Sequence, residues 1–237
     1  MEGTAFIIQG PTTYCKEVVE NYSGSGLVIW VTWLSEPIEN INIITSSAIQ
    51  LLQIERPETT GYWNINLQCA TTTAGLVFIK KNYPNVKFAM KIRSDMIIAN
   101  FKRFYASNAR LIASERNELI FLGYVKSPKE NYLLDYIVGG QVDAMLRFWK
   151  TSDDENFGLP FPEADLQQRY FDYNPVLSNR LPAFFNINNT EIFWLKPGIN
   201  LKKYTEVIYL NVKFAAGWRL ILKMKRRINF YLKRYKK

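Results

Sequence analysis

The 237-residue chain contains no histidine. The commonest general base at neutral pH and the commonest zinc ligand are therefore both missing. Ser-His and Cys-His triads are excluded, and acid–base chemistry falls to Asp, Glu, Lys or Tyr. Any metal would be a hard, oxygen-bound ion such as Mg²⁺ or Mn²⁺. Cysteine is scarce too. Cys15 and Cys69 form no metal or redox spacing and, with no secretory signal at the start, read as reduced cytosolic thiols. No apolar run is long enough to span a bilayer. With 12 glycines and 10 prolines the chain is neither fibrous nor of low complexity. What is present is apolar residues at 48% and aromatics at 15%, which in a chain of this length suits one globular domain with a sizeable core, with room for an extension.

The net charge of +9 is concentrated at one end. Residues 219–237 hold nine basic side chains and no acid, which leaves 21 basic residues against 21 acids elsewhere. In 211–237 these charges alternate with Trp218, Leu220, Ile221, Leu222, Met224, Ile228, Phe230, Tyr231, Leu232 and Tyr235. A basic amphipathic helix with aromatics reads as a membrane-surface element. A solvated helix packed on the body is the plainer alternative. A nucleic-acid patch is disfavoured, because the neutral body carries no recognisable binding module.

Apolar runs and helical patterns alternate along the body. Ala5–Ile8 predicts a buried strand, Gln9-Gly10-Pro11-Thr12-Thr13 a turn, and 13–22 a helix capped by Thr12 or Thr13. Such a start presents backbone N–H groups to an anion. Strands are expected at Leu27–Trp33 and Ile49–Ile54, and a helix from Trp63 to Tyr83, ended by Pro84. Its first turns hold Asn64, Asn66, Gln68, Thr71 and Thr72, and the two asparagines and three consecutive threonines are poor helix formers whose presence asks for a reason other than propensity. A strand over 86–92, a helix over about 99–113 and a strand over 119–123 follow. Leu133–Gly140 leads back to the sheet, Gln141–Lys150 is helical, and Glu163 opens another helix with two acids in its first turn. This alternation argues for an α/β fold, a mostly parallel sheet with helices on both faces.

Within it, Val86–Ile97 stands out. An apolar run is interrupted by Arg93, Ser94 and Asp95, then resumes. A strand delivering polar groups to the carboxyl edge of a sheet, where ligands bind, looks like this. An ordinary Arg93–Asp95 ion pair at a strand end is the alternative.

Ile7-Ile8-Gln9-Gly10-Pro11, Thr32-Trp33, Asn64 to Gln68 with Thr71, Thr72 and Gly75-Leu76, and Lys91-Ile92-Arg93-Ser94-Asp95 follow one another in an order and spacing that resembles the WavE lipopolysaccharide-synthesis family. Asp135-Tyr136 with Gly139-Gly140, and Pro162-Glu163, are also similar to segments of that family. The resemblance covers roughly residues 5–175. It departs at Leu67, where the family usually has Arg, and at Tyr136, where it has Trp.

The resemblance implies a GT-A-like fold, a nucleotide-sugar donor, and a glycosyltransferase of lipopolysaccharide or capsule synthesis. The nucleotide sugar would be held by Gln9, Gly10, Pro11, Thr12, Thr32, Asn66, Gln68, Thr72, Arg93 and Ser94. Asp95 would hold Mn²⁺ or Mg²⁺ across the diphosphate, with Arg93 able to supply positive charge itself. Glu163, Asp165 or Asp135 would serve as general base, although two acids in a first helical turn also suit the helix dipole alone. For Asn66 and Gln68, exposed helix-start capping is the equal alternative. The expected organisation is a catalytic domain over 1–210 and a membrane-surface helix over 211–237. The enzyme would then lie in the cytoplasm, peripheral on the inner face of the membrane, with a lipid-linked glycan acceptor and no nucleic-acid partner. A sugar-phosphate or nucleotidyl transferase, or a non-catalytic scaffold of a glycan-assembly complex, remains the alternative.

Overall fold

The computed structural model describes residues 3–114, 116–126, 130–150, 162–188 and 190–195. The basic segment 211–237, the boundary at 210 and the acidic loop before Pro162 lie outside them.

The first strand, β1 (Thr4–Gln9), is buried at every residue, as an apolar strand covered on both faces must be. It is followed by α1 (Cys15–Tyr22), β2 (Leu27–Trp33), α2 (Ile38–Thr45) and β3 (Gln50–Ile54). A single 3₁₀ turn at Tyr62–Asn64 leads into α3 (Ile65–Asn82), and then come β4 (Phe88–Arg93), β5 (Met96–Ile98) and α4 (Phe101–Ile112). The remainder comprises β6 (Leu119–Phe121), β7 (Tyr124–Lys126), β8 (Asn131–Leu133), β9 (Ile137–Gln141), α5 (Val142–Phe148), α6 (Pro162–Phe171), β10 (Ala183–Phe184) and β11 (Ile192–Trp194).

Seven strands form the main sheet in the order β10-β6-β9-β4-β1-β2-β3. All neighbours are parallel except β9, which runs against both β4 and β6. The fold is α/β with a mixed, mostly parallel sheet. Helices cover both faces. Residues of α1, α2 and α4 pack with Phe6, Ile8, Trp30 and Met90 on one side. Residues of α3, α5 and α6 pack with Ala5, Ile7, Ile29 and Val31 on the other. Gly75 lets α3 lie close to the sheet, since a Cβ there would stand 3.0 Å from Val31 and 3.1 Å from Ile7.

Two local expectations need correction. Neither Thr12 nor Thr13 caps α1: the residue before it is Tyr14, which makes no side-chain capping bond, and the Thr12 hydroxyl donates instead to Glu36. The resumed apolar run after Asp95 is β5, which leaves the main sheet and pairs antiparallel with β11.

The connectivity places the site. From β1 the chain adds β2 and β3 on one side and then crosses to β4 on the other. Adjacent parallel strands whose following connections leave in opposite directions open a crevice at their carboxyl ends. Here those ends are Gln9-Gly10 and Arg93-Ser94-Asp95.

Candidate functional site

A cavity of about 990 Å³ lies at this edge, within the range of small-molecule sites. Its lining includes Gln9, Gly10 and Pro11 after β1, Trp33, Ser35 and Glu36 after β2, and Arg93, Ser94 and Asp95 after β4. Gln68 reaches it from α3 and Glu163 from the first turn of α6. The turn after β1 is held closely. Gly10 has φ +125°, and a Cβ on it would stand 2.7 Å from Ser94 Oγ, so only glycine lets the two strand ends meet. The Ser94 amide donates to the Gln9 carbonyl at 2.9 Å, and the Trp30 indole donates to the Gly10 carbonyl at 3.0 Å.

Arg93 and Asp95 form a two-pronged pair, with Nε to Oδ1 and Nη2 to Oδ2 both at 2.8 Å. The Trp194 indole adds a third bond to Asp95 Oδ2 at 3.1 Å. The guanidinium also lies 5.3 Å from the Trp194 ring and 5.7 Å from the Tyr136 ring. Burial works against the Arg93 charge, and Asp95 more than offsets it, leaving the guanidinium pKa above its ordinary value. The result is a fixed cation at the cavity wall, 20% exposed, with its donors pre-oriented for an anion.

This arrangement does not fit a divalent metal on Asp95. Both carboxylate oxygens already accept from guanidinium N–H groups, and Oδ2 from the Trp194 indole as well. Among the described residues no group of three or more Cys, Asp or Glu side chains could hold a metal ion.

Glu163 lines the cavity half-buried. Burial, with the nearby Asp135 charge, pushes its carboxyl up to about 7, while Lys91 and Arg93 pull the other way. A carboxylate titrating near neutrality is suited to take a proton from a hydroxyl. Asp135 is fully buried behind the wall, and neither carboxylate oxygen has a hydrogen-bond partner among the described residues. Asp165 sits one side over on α6 and pairs with Arg169 at 2.9 Å. It does not line the cavity.

The other expected contacts divide in two. Gln9, Gly10, Pro11, Gln68, Arg93 and Ser94 line the cavity. Thr12, Thr32, Asn66 and Thr72 do not. The Thr12 amide and hydroxyl and the Thr32 hydroxyl all donate to the Glu36 carboxylate, with the Thr12 amide and the Thr32 hydroxyl each at 3.0 Å. They aim an acid that the cavity sees instead of touching the cavity themselves. Asn66 turns towards the preceding loop and bonds Thr59. Thr72 is fully buried in α3, its hydroxyl without a partner among the described residues.

No family model matches the chain, and no curated protein matches it. Among solved structures, it is similar to a glycosyltransferase involved in glycosylation of the major capsid of PBCV-1, with a TM-score of 0.42 and 11% identity over 76% of this chain and 79% of that one. It is also similar to a 4-diphosphocytidyl-2C-methyl-D-erythritol synthase from Anaerococcus prevotii, with a TM-score of 0.45 and 11% identity over 73% and 84%.

Sequence reasoning passed over several lining residues. Glu36 follows a strand as Asp95 does, and its position after Trp33 was the available signal. Trp63 was taken as the start of a helix. It instead adopts φ 53° beside Asn64 at φ 64°, two left-handed residues that stand an indole 64% exposed at the cavity mouth. Bulky residues seldom adopt that region, and such strain collects at binding sites. Nothing in the local pattern announces Lys91. It is fully buried in mid-strand, donating to the Asp135 carbonyl at 2.8 Å and Gln68 Oε1 at 3.1 Å, 4.6 Å from the Trp149 ring centre. Burial lowers its pKa to about 8, and Asp135 opposes the fall.

Proposed function

We propose that this protein is a glycosyltransferase that moves a sugar from a nucleotide-sugar donor onto a lipid-linked surface glycan. The reading rests on one observation: a pre-oriented guanidinium and a carboxyl titrating near neutrality line the same switch-point cavity. Arg93 would meet the departing diphosphate with N–H donors not used by Asp95. Glu163 would accept the proton of the acceptor hydroxyl, a contribution of about 10²–10⁴-fold. Glu36, aimed by Thr12 and Thr32, and Trp63 would border the remainder of the donor. No step is assigned to a metal, since the Asp95 oxygens are engaged. The GT-A-like fold and the surface-glycan pathway follow from the resemblance to the WavE family, the peripheral membrane location from the basic segment 219–237, and all three belong to this proposal.

The test is calorimetric binding of nucleoside diphosphates and their sugars to the purified protein, with and without Mn²⁺. One nucleotide should bind, with little dependence on Mn²⁺, and Arg93→Lys should weaken it about tenfold or more by losing the fork. Release of nucleoside diphosphate in the presence of an acceptor separates sugar transfer from nucleotidyl or sugar-phosphate transfer, which release pyrophosphate or monophosphate. Silence across the panel in folded protein would overturn the reading in favour of a scaffold.

A further inference from the structure

Lys91 lies outside the cavity, yet it touches two of the segments that build it. Its neighbours in the sheet are Ile7 on β1 and Val138 on β9, so the side chain leaves the middle of the sheet and runs beneath the cavity floor. Lysine ammonium only donates hydrogen bonds. Whatever accepts from it must present oxygen, and Gln68 presents Oε1 at 3.1 Å. That contact determines which way round the amide lies. Gln68 is itself a lining residue, so the NH₂ end is left for the cavity. The second bond, to the Asp135 carbonyl at 2.8 Å, pins the backbone just before β9, and this segment carries the carboxylate that acts on Glu163.

A buried cation is costly, and an apolar side chain of similar volume would generally serve stability as well or better. Its retention asks for a reason other than stability. We infer that Lys91 is a positioning residue of this site: from beneath the floor its ammonium turns the Gln68 amide so that NH₂ faces the ligand, pins the backbone at Asp135, and sets its own charge against that of Asp135 at Glu163. Gln68 then offers the cavity donors only, matched to phosphoryl or sugar oxygens. The charged groups facing Glu163 are Asp135 from the segment before β9 and Lys91 and Arg93 from β4. Asp135 favours the protonated acid and the two cations the carboxylate. This inference rests on the transferase reading for the identity of the ligand, but not for the link between Lys91 and Glu163.

The experiment follows the Glu163 side-chain carboxyl by carbon-13 NMR in the ligand-free full chain, assigned by its loss in Glu163→Gln. Loss of the cation in Lys91→Met should move the Glu163 titration to higher pH. Asp135→Asn should move it to lower pH. Lys91→Gln, which keeps a donor for the Asp135 carbonyl but no charge, provides the same test should Lys91→Met fail to fold. In parallel, Gln68→Glu, which replaces the donor end by a carboxylate, should weaken binding of the wild type's preferred nucleoside diphosphate at least tenfold, and Lys91→Met should weaken it too. An unmoved Glu163 titration in a folded Lys91 variant would overturn the inference, as would Gln68→Glu binding as tightly as wild type. If the wild type binds no nucleotide, the transferase reading fails while the titration still decides the role of Lys91.

Discussion

At Glu163 a functional carboxyl and a structural one make opposite demands on stability. Its pKa rises from 4.5 to about 7 on folding, chiefly because burial disfavours the charged form. Between those values the folded protein holds a proton that the unfolded chain has released, so stability falls as pH rises. The contribution is fully present below 4.5 and is lost as pH climbs through about 7. A shift of this size corresponds to about 3 kcal/mol. Glu163→Gln, neutral at every pH, should therefore match the wild type in urea unfolding near pH 4.5 and exceed it by up to about 3 kcal/mol at pH 8. The same variant should lose transfer by about 10²–10⁴-fold. A stabilised, inactive variant is the signature of a residue kept for chemistry. Equal loss of stability and activity would instead make Glu163 part of the packing.

The elements show what a linear reading can and cannot recover. β1, β2 and β4 were legible because each is a mainly apolar run ended by polar or turn residues, and burial on both faces demands such runs, while β3, half-buried at the edge of the sheet, was legible from the apolar residues Ile49, Leu51, Leu52 and Ile54. The carboxyl-edge placement of Arg93-Ser94-Asp95 followed from the same pattern. β9 was less legible in its direction: its Gly139-Gly140 pair marks close approach, but only the pairing shows that it runs antiparallel between β4 and β6. Lys91 was hidden for a related reason. A lysine inside an apolar strand reads as a solvent-facing position, and its burial depends on Gln68, Asp135 and Trp149, which are far away in sequence. Thr12 and Thr32 were read as ligand contacts through the family resemblance. Their acceptor, Glu36, emerges only when those ends are brought together. Gly140 gives the element scale its test. A Cβ there would fall 2.1 Å from the backbone oxygen of Glu118, which the rigid edge of β6 cannot relieve by a side-chain rotation. Gly140→Ala should cost about 3 kcal/mol or more, read as a lowered urea midpoint with an unchanged slope.

At the scale of the whole molecule, charge governs where the proposed transferase would meet its acceptor. Among the described residues no helix is long and apolar enough to cross a membrane. The sequence nevertheless sets all of its excess positive charge in residues 219–237, interleaved with apolar and aromatic side chains, while the remainder is balanced. Each Lys or Arg near an anionic bilayer contributes about 1 kcal/mol, so even a fraction of the nine would retain the protein at a surface. That attraction is screened over about 10 Å at 0.1 M salt and about 3 Å at 1 M. The full chain should therefore sediment with vesicles containing phosphatidylglycerol at 0.1 M salt, and release at 1 M should be partial, because the aromatic side chains remain in the interface. Vesicles of phosphatidylcholine alone should bind much less. Replacing Lys225, Arg226 and Arg227 by Gln should reduce binding to the anionic vesicles by about 3 kcal/mol, roughly two powers of ten, and leave thermal unfolding unchanged. Equal binding to neutral and anionic vesicles would rule out the electrostatic account. A fall in unfolding temperature in the triple variant would instead place the basic segment against the body, as a packed helix whose charges face solvent.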